Sequence, residues 1–225
     1  MKHILLVAIL ALPILVSAQD DKKKKNSFFE NSYIGAYWGP DMYFWKDKAP
    51  AGNTDYTYNP HFSYTGGVEF IKGTKNERLF INVGVQHSVK SFLREDKCLT
   101  CGTDYVPLNT ISAKYTEIPV SAMFLITNSK LDVIGTFGFT YSFLRKADGE
   151  RNAYNGTTEI YNATNSFNKA NLGLHAGVGF NYTINLHLSW GMNVIYRQPF
   201  SQFTPVPAVS AFGIGINTGF YYKFD

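Results

Sequence analysis

Leu131-Asp132-Val133-Ile134-Gly135-Thr136-Phe137-Gly138-Phe139-Thr140-Tyr141-Ser142-Phe143 alternates between apolar and small or polar side chains, with one lapse at Ile134-Gly135. Alternation with a period of two is the mark of a β-strand with two unlike faces. Strands in water-soluble domains average about five or six residues. A strand that crosses a bilayer at a tilt needs about 9–11, and this run is long enough to do so.

The pattern repeats in both directions along the chain. Strands are expected at Tyr33–Trp45, His61–Lys72, Leu79–Leu93, Ser112–Ile126, Leu131–Leu144, Ala170–Tyr182, Leu186–Arg197 and Ser210–Phe224. The connections alternate in length. Lys46–Pro60, Arg94–Ile111, Arg145–Asn168 and Gln198–Val209 are long and carry Gly, Asn, Thr and Pro, whereas Gly73–Arg78, Thr127–Lys130 and Thr183–Asn185 are tight. Long loops at one rim and tight turns at the other describe an antiparallel up-and-down barrel, the architecture of bacterial outer-membrane proteins. The expected fold is therefore all-β, an eight-stranded transmembrane β-barrel.

Which face is inside follows from charge. In the last four strands the apolar phase runs through Phe139, Tyr141, Leu174, Val194 and Phe220. The other phase is mostly Gly, Ser, Thr and Asn, and its only charges are Asp132, Arg197 and Lys223. A face meeting water carries many Lys and Glu, so this phase suits the crowded interior of a narrow barrel. The apolar phase then faces lipid. Tyr141, Phe143, Tyr182, Tyr196, Tyr222 and Phe224 lie towards strand ends, as interfacial girdles do.

Composition agrees. Of 225 residues 45% are hydrophobic, 16% aromatic and only 17% charged, against about 25% charged in an ordinary soluble domain. A net charge of +4 without a basic stripe argues against nucleic-acid binding. The start, Met1–Ala18, has a basic beginning, a short apolar run and small residues at Val16-Ser17-Ala18, which reads as a secretory signal peptide cleaved before Gln19. Residues 19–32 are expected to form a periplasmic tail containing Lys22–Lys25, and residues 33–225 the barrel, placed in the cell outer membrane. Outer-membrane lipid and the barrel-assembly machinery are the partners this implies.

Inward charges are the leading candidate site. Lys90, Glu117 and Arg197 fall near the long-loop rim, and Glu69, Asp132 and Lys223 near the turn rim. Buried charges need partners, so each layer is expected to be an ion-paired plug rather than a pore, with Glu117 held between Lys90 and Arg197. His175 and His187 point inward without further ligands at matched height, so no metal or cofactor is expected. His87 and Ser88 are adjacent and must face opposite sides, so they make no hydrolytic dyad, and no enzyme activity is expected. Cys98 and Cys101 in the second long loop suit a small disulfide in an oxidising compartment. Loop aromatics (Tyr56, Tyr58, Tyr105, Tyr154, Tyr161, Phe203) are candidates for contact with an extracellular ligand or a larger membrane complex.

Tyr115-Thr116-Glu117-Ile118-Pro119-Val120 and the ending Asn217-Thr218-Gly219-Phe220-Tyr221-Tyr222-Lys223-Phe224 resemble the fourth strand and the aromatic terminus of the outer-membrane β-barrel domain of Bacteroidota, the PorT-like or porin-family proteins. The likeness covers the chain from about Tyr33 onward. It implies an outer-membrane barrel and says little about activity. Asp225 after Phe224 departs from the usual aromatic last residue.

Overall fold

In the computed structural model the described residues are 31–47, 54–98, 108–127, 130–152, 157–205 and 208–224. The leader and nearly all of the tail lie outside them. Ser32, counted with the tail, is already the first residue of β1.

The strands are β1 (Ser32–Asp47), β2 (Thr54–Pro60), β3 (Ser63–Gly73), β4 (Leu79–Cys98), β5 (Leu108–Leu125), β6 (Leu131–Asn152), β7 (Thr158–Asn162), β8 (Ala170–Thr183), β9 (Leu188–Pro199), β10 (Thr204–Pro205) and β11 (Ala208–Phe224). Eight of them are staves, hydrogen-bonded in the order β1-β3-β4-β5-β6-β8-β9-β11, and β11 pairs back onto β1. Every pairing is antiparallel. Closure removes the open edges that a lipid environment forbids.

The tight turns are held by side chains. Asn185 Oδ1 accepts from the backbone N–H groups of His187 and Leu188, both at 2.9 Å. That turn keeps Leu186 and His187 out of β9, which starts at Leu188 instead of the expected Leu186. In the first turn Asn76 Oδ1 accepts from Arg78 N–H at 3.0 Å.

At the other rim much of what reads as loop is strand. β4 runs on to Cys98, β5 begins at Leu108 and β6 reaches Asn152. β2 adds to β4 through Thr54–Pro60 opposite Phe92–Cys98, and β7 adds to β6. β2 and β3 form one stave interrupted at His61-Phe62, so β3 starts at Ser63 and not at His61. Pro60 is the last residue before the interruption, and a proline has no N–H to donate to the ladder. These segments are rich in Asn, Gly, Thr and Pro, which composition assigns to loops. Cross-strand pairing overrides that local preference.

The outward phase carries Trp38, Val83, Phe124, Phe137, Phe139, Val178, Ile216 and Phe220, all exposed. No helix among the described residues is long and apolar enough to cross a membrane, and the apolar outer wall belongs to the strands. Boiling should therefore be needed to unfold the protein in detergent: an unboiled sample should migrate anomalously on a gel and give a β-type circular dichroism spectrum. Identical migration before and after boiling, or a helical spectrum, would contradict the closed barrel.

Candidate functional site

The lumen is filled at the height of the loop-rim charges Lys90, Glu117 and Arg197. Glu117 on β5 is 1% exposed and accepts three hydrogen bonds. Lys90 Nζ on β4 reaches Oε1 at 2.7 Å, Ser142 Oγ on β6 reaches the same oxygen at 2.7 Å, and Gln86 Nε2 reaches Oε2 at 2.5 Å. Gln86 is oriented in turn by the Tyr37 hydroxyl, which donates to its Oε1 at 2.5 Å. Charge-assisted bonds of this kind are stronger than neutral ones, and together they use both oxygens of the carboxylate.

Lys90 meets aromatic rings on its other side. Its Nζ lies 4.8 Å from the Tyr115 ring centroid, 4.9 Å from Phe203 and 5.2 Å from Tyr43. A cation over ring faces is attracted by their quadrupoles, most where water is excluded. One carboxylate and three rings therefore take the place of the ammonium's hydration shell.

Arg197 does not join this group. Its Nη1 donates to Asp41 Oδ1 at 2.5 Å, and Thr65 Oγ1 donates to the other Asp41 oxygen. The expectation that Glu117 bridges both cations is thus corrected: the lumen holds two separate pairs, and the acid for Arg197 comes from β1. Asp41 lies in the inward phase of β1 with Tyr37 and Tyr43, so its orientation is legible in the alternation. What the sequence does not show is which inward carboxylate lies nearest Arg197 once β1 and β11 close the barrel. The His175 ring, also inward, shares a hydrogen bond with Thr140 Oγ1 at 2.9 Å. Beside Arg197 and His175 the remaining space is about 40 Å³, room for very few waters.

Above the pairs sits an aromatic plug. Phe203, from the connection between β9 and β11, is fully buried. It packs 5.0 Å from Trp45 and 5.8 Å from Tyr115 between ring centroids, and Trp45 packs 4.3 Å from Phe92. The segment is tied down by Phe203 N–H to Val209 O at 2.8 Å and by Asn168 N–H to Phe203 O at 2.7 Å. Phe203 is therefore no surface contact residue, which corrects its reading as an exposed loop aromatic. Tyr161 is exposed as expected, whereas Tyr58 packs against the plug. The side chain of Tyr56, and Tyr105 and Tyr154 altogether, lie outside the described residues, as do the Cys98 side chain and Cys101.

The turn-rim layer is more open. Glu69 accepts from Asn82 Nδ2 at 2.6 Å. Asp132, Lys223 and His187 line a cup of about 460 Å³ whose walls include Ile71, Met123, Ile134 and Tyr221. His187 stacks on Tyr222 at 5.8 Å. The described residues contain no group of three or more metal-ligating side chains. His87 is exposed on the lipid side while Ser88 is fully buried, so the wall of the barrel separates them.

The family model described as "Outer membrane protein beta-barrel domain" matches residues 17–204. No curated protein matches the chain in sequence. Among solved structures, the outer membrane protein OprG from Pseudomonas aeruginosa aligns with a TM-score of 0.50 at 18% identity, covering 87% of this chain and 96% of that one. A major outer membrane protein from Thermus thermophilus aligns with a TM-score of 0.51 at 13% identity, covering 86% of this chain and 99% of that one. At such identities the likeness is one of fold.

Replacing Glu117 with Ala orphans a buried ammonium, and breaking a buried pair from one side costs on the order of 3–5 kcal/mol. The Glu117→Ala barrel should lose heat resistance in detergent. A Glu117→Ala, Lys90→Met double variant should recover part of the loss, because the two residues touch and their effects do not add. Equal heat resistance of Glu117→Ala and wild type would remove the pair from the account.

Proposed function

We propose that this chain, which belongs to the outer membrane protein beta-barrel domain family, acts as a structural or interaction component of the outer membrane and conducts no ions. The observation that carries the reading is the filled lumen. Within the interior Lys90 neutralises Glu117 and Asp41 neutralises Arg197, and Trp45, Phe92 and Phe203 cover them. A porin needs an aqueous passage lined by charges that ions can reach; here each of the four charges is already satisfied by protein. An enzyme needs a reactive group open to substrate, and the buried polar groups here serve packing.

The proposal includes export through cleavage before Gln19, and an orientation with the tight turns in the periplasm and the long connections outside. The PorT-like, Bacteroidota-type character rests on Tyr115–Val120 and the aromatic terminus. A role as a binding module, or as a subunit of a larger outer-membrane complex such as a secretion assembly, has its own support. The β6–β7 hairpin carries Ile160 at 75% and Tyr161 at 37% exposure at the long-loop rim, where a partner could bury them.

In planar bilayers the purified protein should show no steady conductance, and a stable channel would favour a porin instead. On intact cells, a protease site inserted after Thr157 should be cut and one inserted in Gly73–Arg78 should not. The reverse pattern would invert the orientation.

A further inference from the structure

On the outer wall of β6 the residues Phe137, Phe139, Tyr141 and Phe143 form an exposed aromatic ladder, and Tyr141 and Phe143 meet edge to face at 4.5 Å. A bulge ends the ladder. Tyr115 on β5 lies opposite Leu144 and Lys114 lies opposite Lys146, so Arg145 is the extra residue on β6. The bulge resets the alternation: Ser142 and Leu144 belong to the inward phase before it, and Ala147 and Gly149 after it. Arg145 and Lys146 are thereby both left exposed immediately beyond Phe143.

Lys114 and Lys146 are direct cross-strand partners. Like charges in that position repel. One carboxylate offsets them: Asp148 lies 2.8 Å from Lys146 and 3.6 Å from Lys114. A single carboxylate cancels a single positive charge, so the two lysines keep a net charge of +1 between them. Arg145 spends its Nε on Thr116 Oγ1 at 2.8 Å, which leaves its terminal nitrogens as donors. Glu150 lies farther along β6, beyond Asp148. Lys114 and Lys146 thus share one carboxylate, and Arg145 stands beside them on the same wall, at the border of an aromatic, lipid-facing band.

We propose that Lys114, Arg145 and Lys146 bind the phosphate groups of the anionic glycolipid in the outer leaflet, while Tyr141 and Phe143 pack against its acyl chains. Long basic side chains beside an apolar surface keep their stems on that surface and their charged heads at the water boundary. A guanidinium presents paired donors to a phosphate, and the two opposed lysines gain the counter-charge that Asp148 supplies only in part. This inference rests on the reading that the long-loop rim faces outward, which the protease test decides separately.

The test uses the full-length barrel in detergent, with binding measured by native mass spectrometry for bisphosphorylated lipid A, dephosphorylated lipid A, phosphatidylglycerol and inorganic phosphate. Bisphosphorylated lipid A should bind best, and its binding should weaken as salt rises. A Lys114→Gln, Arg145→Gln double variant should weaken it roughly tenfold, since two charge-assisted contacts are lost, and should remain heat-modifiable. Asp148→Asn should act in the opposite direction and tighten binding. Equal binding of the dephosphorylated lipid, equal binding of phosphatidylglycerol, or binding unchanged in both variants would overturn the proposal. Saturation by inorganic phosphate alone would show an anion site without lipid specificity and would also overturn it.

Discussion

An eight-stranded barrel leaves an interior just wide enough for side chains, and a charge buried there needs a counter-charge or hydrogen-bond donors from the wall. The pair of Lys90 and Glu117 meets that constraint at 2.7 Å, and Asp41 and Arg197 meet it again at 2.5 Å. Losing water costs each ion several kcal/mol, so the surrounding residues have to replace it. Ser142, Gln86 and Thr65 supply hydrogen bonds, and Tyr43, Tyr115 and Phe203 supply ring faces. Glycine on the inner face of β11 makes the room. A Cβ at Gly215 would overlap the Asp41 carboxylate, and one at Gly213 would come within 2.6 Å of the Tyr43 ring. The small residues that mark the inward phase in the sequence are thus the negative image of the large and charged ones packed against them.

Much of this was legible without coordinates, because a period of two is a local property. The eight staves, their order and the direction of Lys90, Glu117 and Arg197 follow from alternation and from the scarcity of charge. Partners were less legible. Glu117 and Lys90 sit on neighbouring strands, where register limits the choice. Arg197 and Asp41 are 156 positions apart in the chain and meet only because β11 closes onto β1. Phe203 shows the same limit more sharply. It lies among prolines in a segment that composition marks as loop, and only the backbone bonds to Val209 and Asn168 turn it into the plug.

The loop rim differs most from expectation. Strand structure continues through residues with turn-forming composition, as β2 and β7 show, because each gains a ladder against a long neighbour already fixed by the barrel. The bulge at Arg145 escapes a simple alternation count, since Arg145 and Lys146 look like the onset of a polar loop. In three dimensions the bulge places two cations on the outer wall while β6 continues to bury Ala147 in the plug. One irregularity therefore serves both the closure of the lumen and the chemistry of the rim.

Both ion pairs are satisfied and the plug is seated above them, and the proposed absence of a pore requires that water be kept from the lumen between them. Ser88 points inward and is fully buried. In a background with Cys98 and Cys101 replaced by Ser, a Ser88→Cys barrel reconstituted in liposomes should resist a small, charged, thiol-specific reagent applied from either side, yet react fully once denatured. Rapid modification of the folded protein would show that water reaches the middle of the barrel and would contradict the filled lumen.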